Sequence, residues 1–251
     1  MYDYYLGGKD NYPADREAAE KVIAMMPSGT IRIAAQQNRG FLGRAVRYLA
    51  RELGVRQFLD IGTGLPTMNN VHDVAKNVDR DCRVVYVDHD PVVLAHARDM
   101  LNAVSGTTIL QHDLRNPSEI INDPELRSMF DFGQPIAMLL VAVLHFISDD
   151  ENPRRLIREL MEQLPSGSFL VISHATNDSY KQIDDAVSNG YAKATSQMFN
   201  RSRDEIAGLF EGLELVEPGL VWLPQWRPDP DTGLKDRPGD SLCWCGVARK
   251  P

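Results

Sequence analysis

The sequence predicts an α/β fold, with a doubly wound, mostly parallel sheet of seven strands and an N-terminal helical extension. Five short apolar runs alternate with amphipathic segments from residue 57 onward. The runs are continuous in apolar residues, as in strands that helices cover on both faces. The first run ends in a Gly-x-Gly loop, which is typical of backbone that approaches a ligand beyond the strand ends of such a sheet. Strands and helices that repeat in this order indicate parallel pairing.

The N-terminal part precedes this alternation. It begins with YDYYLGGKDNYPADREAA, residues 2–19, which is rich in tyrosine and contains a Gly-Gly pair. Helices are predicted over 15–26 and 31–53, the second from apolar residues at helical spacing and from Gly54 as a stop signal. We therefore divide the chain into an N-terminal segment with helices, residues 1–54, and one compact core, residues 55–251.

The core elements follow from the same patterns. The helix at 90–104 is the clearest, since Asp90 is placed to cap it and Pro91 suits its first turn. After the fifth strand a long helical region is predicted, and then a helix that Ser202 and Glu205 open as a capping box. The proline-rich segment 221–240 is predicted as a long loop. Strands are predicted at 57–61, 83–88, 107–113, 136–142, 168–174, 213–217 and 242–248, and further helices near 67–78, 116–129, 151–164 and 178–198.

The composition and the net charge argue against several classes of partner and of protein. The net charge of −8 and the pI of about 5.3 argue against a nucleic acid or an anionic membrane as the main partner. No apolar run approaches the roughly 20 residues that span a bilayer, and no signal peptide is evident. Three cysteines predict no disulfide framework, so the chain is interpreted as cytoplasmic. Cys243 and Cys245 are interpreted as buried thiols, and no metal site is predicted.

Acidic residues stand at the ends of the first three strands. Asp60 precedes the loop with Gly62 and Gly64, where it can accept from a cationic amine. Asp88 ends the second strand, placed to accept from ribose hydroxyls, and His112-Asp113-Leu114 ends the third, placed to meet an adenine amino group. The alternative is structural, with Asp60 and Asp113 capping turns and Asp88 capping the next helix.

This arrangement resembles the class I S-adenosylmethionine-dependent methyltransferases, which have a Rossmann-like fold and a D-x-G-x-G loop. The resemblance implies that Asp60, Gly62 and Gly64 line the methionine moiety of S-adenosylmethionine. It also implies that Asp88 binds the ribose and Asp113 the adenine. The neighbouring residues His89, Leu114 and Ala142 are assigned to the same cofactor.

An NAD-dependent oxidoreductase is the alternative reading of the same loop. It also needs glycines and an acidic residue at the end of the second strand. It expects a third glycine, however, where Pro66 and Thr67 stand, and it does not need Asp60 or Asp113.

The stretch LLVAVLHFISDDENPRRLIREL, residues 139–160, resembles that of small-molecule O-methyltransferases, in which a histidine is the general base. The resemblance implies this role for His145, and a neutral imidazole suits it near pH 7. The acid-and-tryptophan turn of that family is replaced here, and no carboxylate that would orient the ring is identifiable. The alternative is a structural histidine. His174, at the end of the fifth strand, is predicted to contact substrate, with local hydrogen bonding as the alternative.

The whole chain is similar to a narrower group, the actinobacterial S-adenosyl methyltransferase family once classed as a domain of unknown function. Relatives carry several residues before Tyr-Asp-Tyr where this sequence has only Met1, which indicates a shortened start. In this group Arg39 would bind the methionine carboxylate, unless it lies on a solvated face. Trp226 would wall an acceptor pocket, unless it packs against the sheet edge. The resemblance rests on residues 2–19, 37–50, 56–75, 84–98, 139–150 and 170–176.

Next to such a site, the N-terminal segment is predicted to be a lid over the cofactor. Tyrosines offer flat faces with polar tips, and the Gly-Gly pair permits a sharp turn. Tyr5, Lys9 and Asn11 are the expected contacts. The alternative is a packing arm in which Asp15 caps the first helix.

The sequence therefore predicts an S-adenosylmethionine-dependent methyltransferase with a small-molecule acceptor, such as a hydroxyl of a secondary metabolite. The alternatives are a non-catalytic protein that binds S-adenosylmethionine or S-adenosylhomocysteine, and the NAD-dependent oxidoreductase. Neither the acceptor nor the oligomeric state follows from the sequence.

Overall fold

The computed structural model describes residues 1–9, 11–26, 29–65, 70–101, 104–179, 197–230, 232–234 and 236–251. Within these ranges one eight-stranded sheet lies between two layers of helices. The helices are α1 (Tyr2–Tyr5), α2 (Pro13–Met25), α3 (Thr30–Arg51), α4 (Val71–Val78), α5 (Pro91–Leu101), α6 (Pro117–Ile121), α7 (Pro124–Met129), α8 (Pro153–Gln163) and α9 (Arg203–Ala207). The strands are β1 (Gln57–Ile61), β2 (Arg83–Asp88), β3 (Thr107–Gln111), β4 (Ile136–Val141), β5 (Phe169–Ala175), β6 (Glu214–Leu215), β7 (Val221–Trp222) and β8 (Cys243–Arg249).

The strand order is β3-β2-β1-β4-β5-β8-β6, and β7 pairs with β8 outside this path. β1 to β5 pair in parallel, whereas β8 is antiparallel to β5, β6 and β7. The chain starts in the middle of the sheet at β1, runs outward to β3, and then returns to β4 on the other side of β1. In such a sheet ligands bind beyond the carboxyl ends of the strands where the order reverses, here between β1 and β4.

Alternate residues of the central strands enter the two layers of the core. Phe58 of β1 and Val84 of β2 pack on the side of α3, α4 and α5. Leu59 and Val85 pack on the opposite side, with α6, α7 and α8. Because each strand is covered on both faces, its apolar run is continuous, which confirms the doubly wound prediction.

The observed elements differ from the predicted ones in several places. The short strand β7 lies in the predicted loop, where Trp222 stacks on Trp244 at 3.7 Å between ring centroids. The predicted helix 116–129 is two helices, because the Asp123 carboxylate caps a new helix at Pro124. The helix at 67–78 begins at Val71, with Asn70 as its N-cap. The described part of the helix at 90–104 covers Pro91–Leu101. Most of the predicted helix 178–198 lies outside the described residues.

The proline-rich segment packs on α3 through a buried arginine. Arg44 donates from Nε to the carbonyl oxygen of Trp226 at 2.9 Å and from Nη2 to that of Leu223 at 2.6 Å. The Trp226 ring is fully buried and meets Phe41 and Tyr48 edge-on, at 5.5 and 5.7 Å between centroids. Leu223 and Trp226 of this segment are therefore part of the core.

The three cysteines are free and buried, which confirms the interpretation of Cys243 and Cys245 as core thiols. The described residues contain no group of His, Cys, Asp or Glu side chains arranged to hold a metal ion. None of the helices in the described ranges is both long and apolar enough to cross a bilayer.

Candidate functional site

A cavity of about 1200 Å³ opens at the carboxyl ends of the parallel strands. It lies at the reversal of strand order between β1 and β4, where the fold places a ligand site. Most of the predicted site residues meet there, although they come from six different parts of the chain. Those that line the cavity are Tyr5, Arg39, Asp60, Gly62, Gly64, Asp88, His89, Asp113, Leu114, Ala142 and His145.

The loop after β1 needs its two glycines for different reasons. Gly62 has a φ of +76°, and a Cβ there would lie 2.3 Å from Cγ2 of Val143. Gly64 has a φ of +65°, and a Cβ there would meet no atom within 4 Å. Since both angles are left-handed, side chains would be strained at either position. Gly62 thus permits close packing against the end of β4, and Gly64 leaves backbone open to the cavity.

Asp88 holds this loop from the end of β2. Its Oδ2 accepts from the N–H of Gly64 at 2.9 Å, and its Oδ1 accepts from the N–H of Asp90 at 3.0 Å. A carboxylate has about four lone-pair sites, so two remain for a ligand. His89, next to it, has a largely exposed ring with Nδ1 3.6 Å from Oδ1 of Asp88.

Asp60 and Arg39 place opposite charges on the cavity wall. Burial raises the pKa of Asp60 to about 7, and the nearby Asp88 carboxylate raises it further, while Arg39 and a hydrogen bond with Thr63 oppose the rise. The Arg39 guanidinium donates to Oδ1 of Asn70 at 3.0 Å. A cation bound beside Asp60 would favour its charged form, because opposite charges in contact lower an acid's pKa.

At the third strand end, Asp113 is already engaged by Arg115. Oδ1 of Asp113 accepts from the N–H of Arg115 at 2.9 Å and pairs with its guanidinium at 3.3 Å. The same guanidinium pairs with Glu151 and donates to the carbonyl oxygen of Phe146 at 3.2 Å. The Arg115 guanidinium, opposed by partial burial, lowers the pKa of Glu151 to about 2. Arg115 therefore joins the end of β3 to the turn after β4.

Ala142, at the end of β4, has a φ of +56°. Its N–H donates to the Ser173 carbonyl oxygen at 3.1 Å and to Ser173 Oγ at 3.0 Å. Ser173 Oγ in turn donates to Oδ1 of Asn38 on α3 at 2.6 Å. A non-glycine residue in this region is uncommon, and such strain is concentrated at functional sites.

His145 lies on a 3₁₀ turn after β4 and is almost fully buried at the cavity wall. Its Nδ1 accepts from the N–H of Ala175 at 3.4 Å. Burial, and then His174 and Arg201, hold the pKa of His145 well below its usual range, so the ring is neutral at pH 7. Within the described ranges no carboxylate contacts the ring, consistent with the sequence, in which no orienting carboxylate was identifiable.

His174 does not reach the cavity, and the predicted substrate contact is not supported. Its side chain is completely buried, with Nδ1 donating to the carbonyl oxygen of Ala175 at 2.7 Å and Nε2 accepting from Nη1 of Arg201 at 2.8 Å. Burial and the Arg201 charge lower its pKa to about 4, while its bond to the Ala175 carbonyl opposes this fall. These contacts of His174 agree with the alternative, a residue that makes local hydrogen bonds. Trp226 is likewise outside the lining, because Arg44 draws its segment into the core.

A family model described as S-adenosyl methyltransferase matches residues 1–251. The chain belongs to this family. A solved DUF574 family protein from Streptomyces avermitilis is 41% identical over 100% of this chain and 95% of its own, with a TM-score of 0.95. A proposed methyltransferase from Thermobifida fusca is 39% identical over 99% and 92% of the two chains, with a TM-score of 0.92. Among curated proteins no match was found.

More distant structures share only the fold. The N-methyltransferase NodS from Bradyrhizobium japonicum is 17% identical over 87% of this chain and 97% of its own, with a TM-score of 0.51. The chain is thus an S-adenosylmethionine-dependent methyltransferase with the class I fold, and this finding replaces the NAD-dependent alternative.

The residues of this methyltransferase fit S-adenosylmethionine, which supplies a methyl group activated by a sulfonium when bound. Arg39 and Asp60 offer opposite charges to a zwitterionic amino acid, and Asp88 has two lone-pair sites left for hydroxyls. The backbone at Gly64 faces open space. A pocket for one drug-sized ligand measures roughly 300–1000 Å³, so this cavity has room for a second molecule.

The N-terminal segment of the methyltransferase forms part of the cavity wall. Tyr5 is buried and lines the cavity, whereas Lys9 is exposed and does not. Asn11 is buried and does not line the cavity. Its Nδ2 instead donates to Oδ2 of Asp3 at 2.7 Å and to the carbonyl oxygen of Gly8 at 2.9 Å. Tyr5 thus lies where the lid prediction needs it, and Asn11 shapes the turn.

Several residues of the methyltransferase site were missed by the sequence reasoning. Asn38 of α3 donates from Nδ2 to the Tyr2 hydroxyl at 2.9 Å, which joins the N-terminal segment to the strand ends. Arg115 and Glu151 line the cavity, and Arg201 supports its wall from behind. Asn38 and Glu151 lie in the stretches 37–50 and 139–160 that carry the resemblances, but neither they nor Arg115 and Arg201 were distinguished there from solvated polar residues.

Proposed function

We propose that this methyltransferase transfers the methyl group to a hydroxyl of a small molecule held in the same cavity as the cofactor, beside His145. One observation carries the proposal: a single cavity is lined both by the residues that fit the cofactor and by His145. A protein that only binds S-adenosylmethionine needs no space for a second molecule next to the methyl group. The shared cavity therefore supports transfer over simple binding.

The wall around His145 favours an apolar acceptor. Phe146 follows it on the same turn, and Phe199 lies alongside, with its N–H donating to the His145 carbonyl oxygen at 2.7 Å. A small molecule with an aromatic or aliphatic body and one polar atom suits such a wall. The net charge of −8 favours this acceptor over nucleic acid. Apolar residues that line the cavity include Met26, Ile31, Leu42, Phe146, Met198 and Phe199.

Alignment supplies much of the rate in such a reaction, because holding two reactants in line replaces a bimolecular encounter. The acceptor oxygen forms a bond to the methyl carbon as the carbon–sulfur bond breaks. The electron pair of the carbon–sulfur bond stays on sulfur. His145 is a polar side chain next to Phe146 and Phe199, and we assign it the contact with the acceptor oxygen. Tyr5 and other residues of the N-terminal segment form part of the wall around the two reactants.

The test is a methyl-transfer screen with labelled S-adenosylmethionine against hydroxylated small molecules and a metabolite extract. Methylation on oxygen is the expected result. Label found exclusively on nitrogen atoms or on nucleic acid would refute the hydroxyl acceptor. Tight binding of the cofactor without any methyl transfer would favour a protein that only binds S-adenosylmethionine.

The role of His145 is tested on the product that the screen yields. We expect His145→Ala to lower kcat strongly and to leave the dissociation constant of S-adenosylmethionine nearly unchanged. His96 on α5 lies outside the cavity lining, and His96→Ala serves as the matched control. Unchanged turnover in His145→Ala would remove this residue from the mechanism.

A further inference from the structure

Arg201 is a buried arginine behind the acceptor end of the cavity, and it does not line the cavity. Its guanidinium donates to the carbonyl oxygens of Leu144 at 3.1 Å and Ile147 at 2.8 Å, which flank His145. It also pairs with Asp149 at 2.7 Å. A buried charge is costly unless it is fully hydrogen-bonded. Arg201 is hydrogen-bonded in this way, and two of its bonds fix the backbone on either side of His145.

The remaining bond of Arg201 determines which nitrogen of His174 carries a proton. A guanidinium only donates hydrogen bonds, so Nε2 of His174, at 2.8 Å from Nη1, must accept. A neutral imidazole then carries its proton on Nδ1, and that nitrogen faces the Ala175 carbonyl oxygen at 2.7 Å. His174 is thus held as one tautomer between a fixed donor and a fixed acceptor.

The tautomer of His145 follows from the backbone N–H of the same residue, Ala175. The Ala175 N–H is a donor only, and it points at Nδ1 of His145 at 3.4 Å. Nδ1 is therefore the accepting nitrogen, and the proton of the neutral ring lies on Nε2. In the part of the chain that the structure describes, Nε2 has no hydrogen-bond partner, and the ring borders the cavity.

We propose that Arg201 is a positioning residue which, through its bonds to the Leu144 and Ile147 carbonyl oxygens and to His174 beside Ala175, holds the His145 ring against the Ala175 N–H, with its proton on Nε2. His145 then offers the acceptor oxygen a hydrogen-bond donor. This assignment deepens the proposed function, on which its catalytic part rests, and replaces the general-base role predicted from the sequence. The hydroxyl proton passes to water as the oxygen–carbon bond forms and the carbon–sulfur bond breaks, and His145 orients the oxygen. An acidic hydroxyl, such as a phenol or an enol, suits this arrangement because it loses its proton readily to water.

Imidazole nitrogen NMR on the full chain, saturated with S-adenosylhomocysteine, tests the tautomers without an acceptor. We expect His145 to be protonated on Nε2 and His174 on Nδ1 from pH 6 to pH 8 (about the range around the ordinary histidine pKa). A His145 ring that is protonated on Nδ1, or that becomes doubly protonated near its ordinary pKa, would overturn the proposal. This result is independent of whether the acceptor screen succeeds, so the two proposals can fail separately.

Two variants test the chain of hydrogen bonds. His174→Leu removes the bonds that hold Ala175 beside His145, so the His145 ring can leave the Ala175 N–H, and we expect loss of its single-tautomer signature. His174→Gln retains an oxygen that accepts from Arg201 and an amide that donates to Ala175, and we expect the wild-type signature. An unchanged His145 signature in His174→Leu would show that the positioning is not transmitted.

Arg201→Met tests the positioning residue itself, and Arg44→Lys, at an equally buried arginine that holds a different segment, is the matched control. We expect only Arg201→Met to change the His145 tautomer. Its S-adenosylmethionine affinity should stay within about twofold, because the guanidinium lies outside the lining. If Arg201→Met does not fold, Arg201→Lys serves, since one ammonium cannot make all four contacts. A wild-type signature in the folded variant would refute the role of Arg201.

The donor role of His145 has its own test on a product of the acceptor screen. His145→Gln retains an N–H donor but cannot take up a proton near neutral pH. We expect it to retain several-fold more turnover than His145→Ala. Equal loss in the two variants would indicate that His145 acts as a base after all.

Discussion

Replacing Gly62 with alanine separates the two reasons for a glycine in the loop after β1. The left-handed φ of +76° alone costs an alanine about 1–2 kcal/mol. The added Cβ also lies 2.3 Å from Cγ2 of Val143, and such overpacking costs typically about 1–3 kcal/mol. We expect Gly62→Ala to lower the free energy of unfolding by roughly 2–5 kcal/mol, the sum of both effects.

Gly212→Ala is the control for this substitution. Gly212 has a φ of +79°, and a Cβ there meets no atom within 4 Å, so only the conformational cost of about 1–2 kcal/mol applies. Urea denaturation of both variants measures the difference. Because relief of the overlap must move the loop, Gly62→Ala should also weaken S-adenosylmethionine binding about tenfold, or about 1.4 kcal/mol, in calorimetry. Gly212→Ala should not.

A second substitution tests the cause. Val143→Ala removes the atoms at 2.3 and 3.4 Å but leaves the Val143 Cβ at 2.8 Å from the added methyl group. The double variant should therefore recover part of the lost stability, as a coupling between the two positions. If Gly62→Ala and Gly212→Ala are equally destabilised, or if no coupling is found, the close approach to β4 is not what requires Gly62.

Three further changes have expected outcomes. Burial raises the pKa of Asp60 to about 7, so between about pH 4 and pH 7 the folded chain keeps a proton that the unfolded chain releases, and stability falls as pH rises through this window. Asp60→Asn should abolish that fall in ligand-free thermal unfolding; an unaltered pH dependence would contradict the assigned pKa. Asp88→Ala removes the acceptor for the Gly64 N–H and should weaken S-adenosylmethionine binding by about tenfold or more, since hydrogen bonds to a charged group contribute about 1.5–3 kcal/mol; calorimetry showing wild-type affinity would rule this out. Gly8→Ala places a Cβ 1.9 Å from Oδ1 of Asp3 and should displace the N-terminal segment and weaken cofactor binding with little change in unfolding temperature, whereas unchanged affinity would return this segment to a packing arm.

The parts of the site that the sequence predicted are local in the chain. Asp60, Gly62 and Gly64 follow an apolar run directly, and Asp88 and Asp113 each close another run. Parallel strands bring their carboxyl ends to one edge of the sheet, so a correct strand assignment is sufficient to place these residues together. No knowledge of side-chain packing was needed.

The parts that the sequence did not predict depend on distant partners. Arg201 meets His174 and residues of the turn after β4, which lie 27 to 57 positions earlier in the chain. Trp226 was assigned to the acceptor pocket because its segment has no periodicity, yet Arg44, 182 positions away, holds the segment in the core. Such pairings follow from tertiary packing, for which propensity and periodicity carry no signal.

The Arg115 guanidinium contacts residues at two strand ends of the cavity wall, and this affects how ligands should be screened. It contacts Asp113, at the end of β3, and also the Phe146 carbonyl oxygen and Glu151, at the turn after β4. We expect a ligand that changes the Arg115 contacts at one of these ends to change ligand affinity at the other, and by thermodynamic linkage the factor is identical in both directions. A fragment campaign run on the empty protein would miss acceptors that bind only after the nucleoside moiety is in place. The same fragment screen run with excess S-adenosylhomocysteine would detect these acceptors. Comparing the two screens measures how much the bound nucleoside changes acceptor affinity.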